Sequence, residues 1–487
     1  MSLLIPGTNS IKDTGYDVAN SLRFNNNSSD SLSLSTSGAD ETSWTYSVWV
    51  KRSEITYASL FSAISGSNFV DVYFYGTSTA DGYLEFYSFN GSFVGRLVTN
   101  AFFRDPSAWY NIVIVWDSDN STSGDRMRIY VNGTRVTSFS TESQPSSGAS
   151  GYVNGTFKIG AMRDNNSSYF FDGYMAEACF IDGQSLDATS FGEFDSDSPN
   201  IWKPIDVSGL TFGTNGFYLD FENASSLGAD VSGNSNNFTV NNLTSADQST
   251  DTCTNNFMTL SPLLKGSNID LTEGNVVSTG NTSSDAGNVA CTFPIAFSGK
   301  WYFEVKITAI SAAGYPKFAV FQDFESVSQG NYNGGSGGNN MHPSGSSGNA
   351  ISTTLQYNST TLENPTSNLS ITAPANGNIF QFALDMDNGA IYVGVNGTYY
   401  NSGDPTSGSS KTGKIGDLTV TNQMMPMSSN FGGSATAYNF GGTSTSAFSI
   451  TSNGGSGNAD ANGHGKFEYA PPTGYFALCS KNIGEFG

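Results

Sequence analysis

One loop of the chain carries four side chains with the chemistry of a calcium site. The stretch DSDNSTSGD contains Asp117, Asp119, Asn120 and Asp125, which offer the hard oxygen ligands that Ca²⁺ prefers. The loop lacks the central glycine and the terminal glutamate of an EF-hand. A weak calcium site is therefore one interpretation, and a plain polar loop between two strands is the other. We expect no other cofactor.

Two pairs of carboxylates have the alternate spacing that puts both side chains on one face of a strand, Glu193 with Asp195 and Asp220 with Glu222. A retaining glycoside hydrolase needs two carboxyl groups about 5 Å apart. Neither pair completes an E-x-D-x-x-E pattern, so solvated or strand-edge acids are the simpler interpretation. The sequence predicts a protein that is not an enzyme, with a polysaccharide-degrading hydrolase as an alternative.

Other catalytic chemistry has little support. The two histidines, His342 and His464, lie in Gly/Ser/Asn-rich stretches and are predicted to be exposed loop residues, and no G-x-x-x-x-G-K-[ST] phosphate loop occurs. The four cysteines form no C-x-x-C pair, so they predict neither a disulfide framework nor a zinc site. Cys179 and Cys479 lie in apolar stretches and are predicted to be small core residues.

Sugar recognition is the chemistry that one further stretch favours. Sugars bind to aromatic faces, with amide and carboxylate groups on their hydroxyls, and RDNNSSYFFDGY (163–174) combines these groups. A packing segment is the alternative. The predicted ligand contacts are Asn165, Asn166, Tyr169 and Asp172, with weaker candidates in the loops around Tyr332 and Tyr438.

The charge balance limits the partners. The formal net charge is −22, which repels phosphate backbones and anionic membrane surfaces, so nucleic acid is not expected as a partner. The apolar run near the N-terminus ends at Pro6, too short for a signal peptide, and no stretch approaches the ~20 apolar residues of a membrane span. We expect neither export by a signal peptide nor membrane insertion.

Two phrases of the sequence read alike, RIYVNGTRV (128–136) and AIYVGVNGTYY (390–400). In each, β-branched and aromatic residues lead into Asn-Gly, the pair that best adopts the positive φ angles of a type I′ hairpin turn. Asn132-Gly133 and Asn396-Gly397 are therefore predicted turns. Met127, Ile129 and Val131 fall on one face of the first strand, which is the pattern of a half-buried antiparallel strand.

Many short strand-like segments separated by Gly, Asn, Ser and Thr predict an all-β protein made of two-sheet sandwiches. In WYNIVIVWD (109–117) both faces are apolar, which indicates a strand buried on both sides at the centre of a sheet. Helix is a minor ingredient, and SLDATSFGEF (185–194) is its best candidate.

Five of these segments follow one another in an order that resembles a known family: WTYSVWVKR, WYNIVIVWD, RMRIYVNGTRV, GTFKIGAMR and DGYMAEACFIDGQSLDATSF. This order is similar to that of the laminin-G-like, concanavalin A-like jelly rolls. The resemblance covers roughly residues 21–194 and implies an antiparallel jelly-roll β-sandwich there. Residues 1–20 are a predicted leader, and residues 195–267 a loop-rich connector with short strands.

A second series of motifs resembles the SPRY family: SGKWYFEV (298–305), ALDMDNG (383–389), NFG (439–441) and PPTGYFALC (471–479). It implies a second jelly-roll sandwich over residues 268–487. The Gly/Ser/Asn-rich stretch 329–350 interrupts this pattern and is expected to be a surface loop. The twin Asn-Gly phrases then belong to two hairpins in two separate sandwiches.

The whole arrangement resembles structural proteins of marine tailed bacteriophages, through its SLLIPG…SLRFN opening and its GFYLDF…NNFTVNN…TNNF bridge. This likeness implies a virion surface protein, made in the host cytoplasm: a tail fibre, a tail-associated adhesin or a capsid decoration protein. The expected partners are other virion proteins and a host surface glycan, with the chain present as a homo-oligomer or in many copies. A purely structural virion scaffold is the alternative.

Overall fold

The computed structural model describes residues 15–76, 82–163, 169–281, 287–311, 316–322, 352–355, 361–362, 369–421 and 423–487. These residues divide into two compact units, 15–255 and 256–487. Each unit is built from antiparallel sheets, so the predicted all-β fold class is confirmed. The longest described helix, α1 (Ser480–Phe486), has seven residues.

The first unit contains eighteen described strands: β1 (Ser21–Phe24), β2 (Ser31–Ser35), β3 (Ser43–Arg52), β4 (Ala58–Ser65), β5 (Asn68–Tyr75), β6 (Tyr83–Phe89), β7 (Phe93–Phe102), β8 (Trp109–Asp117), β9 (Met127–Val131), β10 (Thr134–Arg135), β11 (Phe139–Ser143), β12 (Thr156–Ile159), β13 (Gly173–Asp182), β14 (Gly192–Phe194), β15 (Trp202–Pro204), β16 (Phe217–Leu219), β17 (Thr239–Asn241) and β18 (Gln248–Ser249). Short 3₁₀ turns occur at Asn26–Ser28, Ser123–Asp125, Ala188–Ser190 and Ser245–Asp247.

Two large sheets make the first sandwich. Sheet 1 has the order β10-β9-β8-β3-β13-β1-β18, with β16 also paired to β13, and sheet 2 has the order β11-β7-β6-β5-β4-β12-β2-β17. Their inward side chains form one core that includes Trp44 and Trp116, whose rings stack 6.3 Å apart, and Phe61 and Phe180. Alternation along each strand sends every second side chain into this core.

The outer face of sheet 1 is also buried. Trp109, Val113 and Val115 of β8 pack there against later parts of the chain, including Phe191 and Trp202. The other face of β8 packs into the sandwich core. The prediction that this strand is buried on both sides is therefore confirmed. The Trp202 indole N–H donates to Oδ1 of Asn111 at 3.0 Å, which fixes the covering segment on the sheet.

The predicted connector (195–267) contains short strands that pair with strands of the first sandwich. β16, β17 and β18 pair with β13, β2 and β1 of the first sandwich. The Lys51 ammonium lies 2.7 Å from a buried Asp251 carboxylate, which also accepts the Trp109 indole N–H at 3.2 Å. Each of these strands has only two or three residues. Composition alone therefore does not distinguish them from the loops around them.

The predicted helix 185–194 forms a single 3₁₀ turn, Ala188–Ser190, followed by strand β14. Asp187 caps the turn by accepting the N–H of Thr189 at 3.0 Å. Gly192 then lies against the Trp202 ring so closely that a Cβ would be about 2.5 Å from it. Pairing of β14 with β15, the strand that begins at this tryptophan, overrides the local helical pattern.

Both predicted hairpin turns are confirmed. Asn132 and Gly133 have φ angles of 46° and 75°, and Asn396 and Gly397 have 47° and 87°, as a type I′ turn requires. Met127 and Ile129 are buried in the core of the first sandwich, with Val131 packed against it. The two similar phrases are therefore hairpins in two separate units.

The second unit contains sixteen described strands: β19 (Leu260–Lys265), β20 (Ile269–Thr272), β21 (Val277–Gly280), β22 (Gly287–Cys291), β23 (Lys300–Ala309), β24 (Lys317–Gln322), β25 (Ser352–Leu355), β26 (Thr361–Leu362), β27 (Leu369–Ser370), β28 (Ile379–Asp385), β29 (Ala390–Val395), β30 (Thr398–Tyr399), β31 (Gly416–Asp417), β32 (Met424–Asn430), β33 (Ala435–Asn439) and β34 (Phe476–Ala477). Its 3₁₀ turns are Tyr400–Ser402, Gly408–Ser410 and Ser452–Gly455.

The second unit is also a sandwich of two large sheets. Sheet 3 has the order β19-β22-β32-β24-β25, and sheet 4 the order β20-β21-β33-β23-β28-β29-β30 with β31 and β34 at its side. Trp301, Phe303 and Phe382 belong to the core between them. Phe467, Tyr475 and other residues near the C-terminus bury the outer face of sheet 4.

The two separate cores predict two separable unfolding transitions. Trp44→Ala and Trp301→Ala each remove a fully buried ring from a different core, and each should lower the free energy of unfolding by about 3–5 kcal/mol in its own unit. Differential scanning calorimetry should show one transition moving in each variant. Phe102→Ala, which truncates a ring that is 50% exposed, serves as the control. Equal shifts of a single transition in both tryptophan variants would indicate one shared core.

Candidate functional site

Strands β5 and β6 present aromatic and acidic side chains on the outer face of sheet 2. Val70, Val72 and Phe74 of β5 point into the core, so Asp71, Tyr73 and Tyr75 lie on the opposite face. The register pairs Tyr73 with Glu85, Asp71 with Tyr87, and Tyr75 with Tyr83. A tyrosine therefore lies opposite each carboxylate across the two strands.

Five rings of this face form a contiguous surface, which we call the tyrosine cluster: Tyr57, Tyr73, Tyr75, Tyr83 and Tyr169. Tyr75 and Tyr83 stack with their centroids 4.5 Å apart and their planes at 9°. Tyr57 lies 4.7 Å from Tyr75 and 4.8 Å from Tyr169. Tyr73 is buried, at 7% exposure, whereas the other four rings are half-buried and keep accessible surface.

The two carboxylates beside the tyrosine cluster are held in place by arginine and tyrosine. Glu85 accepts the Tyr73 hydroxyl at 2.7 Å and the Nε of Arg96 at 2.7 Å. Asp71 accepts the Tyr87 hydroxyl at 2.7 Å and forms an ion pair with Arg163. Both carboxylates are buried, so these charge-assisted bonds compensate for their desolvation.

The phenols of this network stay protonated. Burial, reinforced by the negative charge of Glu85, raises the pKa of Tyr73 far above its ordinary value. Burial and the charge of Asp71 raise the pKa of Tyr87 in the same way. Both hydroxyls therefore act as donors to the carboxylates. The bond to Glu85 fixes the buried ring of Tyr73, against which Tyr75 and Tyr169 pack at 6.5 and 6.1 Å.

The aromatic surface continues beyond the tyrosine cluster toward the end of β6. Phe69 and Phe89 stack 5.0 Å apart, and Phe93 packs edge-on against Tyr87 at 5.4 Å. Phe93 is 48% exposed. The Arg163 guanidinium lies 3.4 Å above the Phe69 ring, so a residue from the predicted sugar-binding stretch also contacts this part of the sheet.

The sequence-predicted ligand contacts separate in the structure. Tyr169 joins the tyrosine cluster, while Asn165, Asn166 and Tyr332 lie outside the described residues, as does the stretch 329–350. Tyr438 was predicted to contact a ligand from a loop. Its ring is instead 1% exposed, in the core of the second sandwich. Its hydroxyl donates to the Met427 carbonyl at 3.0 Å.

Asp172 is likewise unsuited to contact a ligand. It is 7% exposed, and its carboxylate accepts the backbone N–H of Asn26 at 3.3 Å. Burial, together with the nearby charge of Glu54, raises the pKa of Asp172 to about 7, although Arg23 and the Asn26 hydrogen bond oppose the shift. The side chain belongs to a buried polar network beneath the segment that carries Tyr169.

Side chains of the predicted calcium loop bond to one another and to nearby arginines. Asp117 accepts the Asn120 amide at 2.9 Å and lies 3.6 Å from Arg128. Asp125 pairs with Arg135 at 2.6 Å, and Asp119 points to solvent. Arginine therefore balances much of the negative charge here. Across the described ranges, no three His, Cys, Asp or Glu side chains are grouped so that they could hold a metal ion.

The other candidates for chemistry also have structural partners. Lys203 lies 3.2 Å from Glu193 and 3.4 Å from Asp195, and Asp220 accepts the N–H of Glu222 at 3.1 Å. The backbone N–H of His464 donates to Asp460 at 2.7 Å. All four cysteines are buried and none forms a disulfide, and burial raises the pKa of the Cys179 thiol, which makes it a poor nucleophile.

Two more buried carboxyls, those of Glu177 and Glu304, accept hydrogen bonds from other parts of the fold. Glu177, in the bulge of β13, accepts the Tyr218 hydroxyl at 2.6 Å, and burial raises its pKa to about 7. Glu304 accepts the N–H groups of Glu468 and Tyr469 at 3.0 and 2.8 Å, and burial raises its pKa to about 7 as well. Both lie under segments that cover the outer faces of their sheets.

Four members of the tyrosine cluster escaped the sequence interpretation: Tyr57, Tyr73, Tyr75 and Tyr83. The signal was present in NFVDVYFYG (68–76) and GYLEFYSF (82–89), where aromatic and acidic residues alternate on the side opposite the aliphatic ones. An outward row of tyrosines in two consecutive strands indicates an aromatic surface, provided that the strands pair in this register.

A sequence model of the Concanavalin A-like lectin/glucanases superfamily matches residues 26–185. The first sandwich is thus concanavalin A-like and laminin G-like, and the chain also has SPRY domains among its structural neighbours. No curated protein sequence matches the chain.

Three solved structures illustrate the likeness. A native heptameric SAP-like pentraxin from Limulus polyphemus is 17% identical over 35% of this chain and 79% of that chain, with a TM-score of 0.28. The SPRY domain of human HERC1 is 12% identical over 37% of this chain and 96% of that chain, with a TM-score of 0.26. Domains LG4-5 of the mouse laminin alpha1 chain are 10% identical over 89% of this chain and 92% of that chain, with a TM-score of 0.28.

The helices within the described ranges are all too short or too polar to cross a lipid bilayer.

Asp172 should make the stability of the first sandwich depend on pH. Its pKa is about 7 in the folded chain and about 4 when unfolded, so the unfolded state binds fewer protons between these values and stability falls as pH rises from about 4 to 7. Asp172→Asn keeps an acceptor for the Asn26 N–H without the charge. The variant should therefore gain stability over the natural chain at pH 8 relative to pH 4, measured by urea unfolding of the full chain. A gain that is the same at both pH values would contradict the assignment.

Proposed function

We propose that the protein is a non-enzymatic glycan-recognition protein and that the tyrosine cluster is its sugar-binding surface. One observation carries the proposal: half-buried tyrosine rings converge on one face of sheet 2, above two buried carboxylates whose hydrogen bonds to tyrosine hold this part of the sheet in place. Aromatic rings stack on the apolar faces of sugar rings, and neighbouring polar groups select the hydroxyl pattern.

The location of this surface also supports the proposal. The outer face of sheet 1 is buried by the chain that follows β13, and the outer face of sheet 4 is buried by residues near the C-terminus. The outer face of sheet 2 keeps half-buried and exposed aromatic rings. The match of residues 26–185 to a superfamily of lectins and glucanases agrees with a role in carbohydrate recognition.

The charge of the chain limits the class of glycan that it can bind. A formal net charge of −22 repels polyanions at long range, and the two carboxylates of the site are already paired with Arg96 and Arg163. A neutral glycan is therefore the ligand class that the site fits best.

The biological setting that we propose is the surface of a virion, where the protein would attach the particle to a host glycan as a tail fibre, tail-associated adhesin or decoration protein. The resemblance to structural proteins of marine phages supports this setting. Many linked copies would raise the avidity of weak single sites by ~10²–10⁴. A purely structural scaffold that contacts other virion proteins is the alternative.

Glycan binding should depend on the stacked tyrosines. Tyr75→Ala and Tyr83→Ala each remove one ring of the closest pair, at 4.5 Å, and should weaken binding by about twofold to tenfold, since an aromatic contact contributes ~0.5–1.5 kcal/mol. Tyr169→Ala should have a similar effect. A glycan array identifies the ligand, and isothermal titration calorimetry on the full chain gives the affinities. Phe194→Ala, which truncates a 46% exposed ring on β14, is the matched control and should bind normally.

Unchanged affinity in all three tyrosine variants would contradict the assignment of the surface. An array on which no glycan binds, together with tight copurification of the chain with capsid or tail proteins, would favour the scaffold.

A hydrolase is the second candidate, because Asp71 and Glu85 occupy diagonal positions on neighbouring strands, facing the same side. Such neighbours are ~7–8 Å apart at the backbone, within the range of paired glycosidase carboxyls. Both are buried and bound by arginine and tyrosine, and a general acid needs a transferable proton and access to the glycosidic oxygen. This arrangement favours binding over hydrolysis.

Prolonged incubation with the polysaccharide that binds on the array should therefore release no reducing ends. Release that is abolished in Glu85→Gln, while binding persists in that variant, would instead identify a polysaccharide depolymerase.

A further inference from the structure

A second concave site lies on the outer face of sheet 2. A groove of about 610 Å³ is formed by side chains from β2, β12 and β17 and by Phe170, within the size range of ligand sites. Its charged lining residue, Lys158 of β12, has an interaction partner of its own. Ser31 and Ser33 of β2 and Asn241 of β17 lie on this outer face, because Leu32 between the two serines points into the core. The groove depends on β17, which lies outside the region 26–185 that matches the superfamily model.

The polar groups of the groove are pre-oriented. The Asn241 amide nitrogen donates to the Ser31 carbonyl and the Ser33 hydroxyl, both at 3.3 Å. The Asn242 amide nitrogen donates to the Ser28 carbonyl at 2.7 Å. These bonds turn both amide oxygens away from the backbone groups that hold the nitrogens. Among the described residues neither oxygen accepts a hydrogen bond, so both remain acceptors for ligand hydroxyls.

One chain segment connects the groove to the tyrosine cluster. The Tyr169 carbonyl accepts the N–H of Ser59 on β4 at 3.1 Å, which fixes this segment along the sheet. The Tyr169 ring packs in the tyrosine cluster at 4.8 Å from Tyr57, whereas the next residue, Phe170, lines the groove. The two sites therefore lie on either side of a single stretch of backbone.

The strand order gives the span between the sites. Tyr75 lies on β5 and Asn241 on β17, and the order β5-β4-β12-β2-β17 separates them by four strand intervals. With strands ~4.8 Å apart, the span is ~19 Å, which a single monosaccharide cannot bridge. A ligand that contacts both sites must be an oligosaccharide.

We propose that the groove is a second saccharide subsite and that the ligand is an unbranched neutral oligosaccharide reaching from the tyrosine cluster into the groove. The proposal rests on the glycan-binding function proposed above and names its substrate class. One end of the ligand stacks on tyrosine rings, and the other donates its hydroxyls to the amide oxygens of Asn241 and Asn242. An oligosaccharide that is long enough to reach both sites therefore binds more tightly than a shorter one.

A length series of the glycan selected by the array, from disaccharide to hexasaccharide, tests the proposal by titration calorimetry on the full chain. Affinity should rise about tenfold once the ligand spans both sites, since the two or three added hydrogen bonds outweigh the cost of ordering the longer ligand. Asn241→Ala should remove this gain and leave the affinity for the disaccharide unchanged. Thr239→Ala, two residues earlier on β17 and exposed, should retain the gain. Tyr75→Ala should weaken binding at every length.

Affinity that does not change with ligand length, or an Asn241→Ala variant that keeps the full gain, would overturn the proposal while leaving the tyrosine cluster as the binding site. If Asn241→Ala does not melt at the temperature of the natural chain, Asn242→Gly replaces it, since that variant removes the other amide oxygen at a position whose φ of 64° glycine readily adopts. Loss of all binding from the array would instead refute glycan recognition itself.

Discussion

The alternation of side chains along β5 and β6 is the constraint on which the candidate site depends. Val72 and Phe74 must enter the core, so Tyr73 and Tyr75 must face outward, and a slip of one residue would exchange the two sets. The cross-strand hydrogen bonds from Tyr73 to Glu85 and from Tyr87 to Asp71 hold this register. The same bonds that fix the strands thus orient the buried ring of Tyr73, against which the accessible rings of Tyr75 and Tyr169 pack.

Whether the outer face of a sheet is covered by other segments of the chain determines the role of the polar residues on that face. On sheets 1 and 4 later segments of the chain cover the strands, and Glu177 and Glu304 become buried carboxyls whose pKa is raised to about 7. On sheet 2 the carboxylates Asp71 and Glu85 are instead paired with arginines that come from neighbouring elements, beside rings that keep accessible surface. Similar residue types therefore have a structural role on covered faces and a candidate binding role on the open one.

Local pattern predicted the strands and turns well because it reflects local physics. The Asn-Gly hairpins and the doubly apolar strand β8 needed only backbone preference and period-two alternation. The candidate site needed more. Tyr57, Tyr75 and Tyr169 come from three separate parts of the chain and meet only through strand order and register, which the sequence does not state. The sequence also did not predict which polar or aromatic residues are buried. Asp172 and Tyr438 lie in polar stretches that resemble loops, yet long-range packing buries both.

A crystal structure of the full chain with a bound oligosaccharide tests the central claim most directly. The account predicts a sugar ring lying flat against Tyr75 and Tyr83 on the outer face of sheet 2, with the chain continuing past Tyr169 toward Asn241. A sugar bound to the second sandwich, or at the loop Asp117–Asp125 through a metal ion, with the tyrosine rings left uncovered, would contradict it.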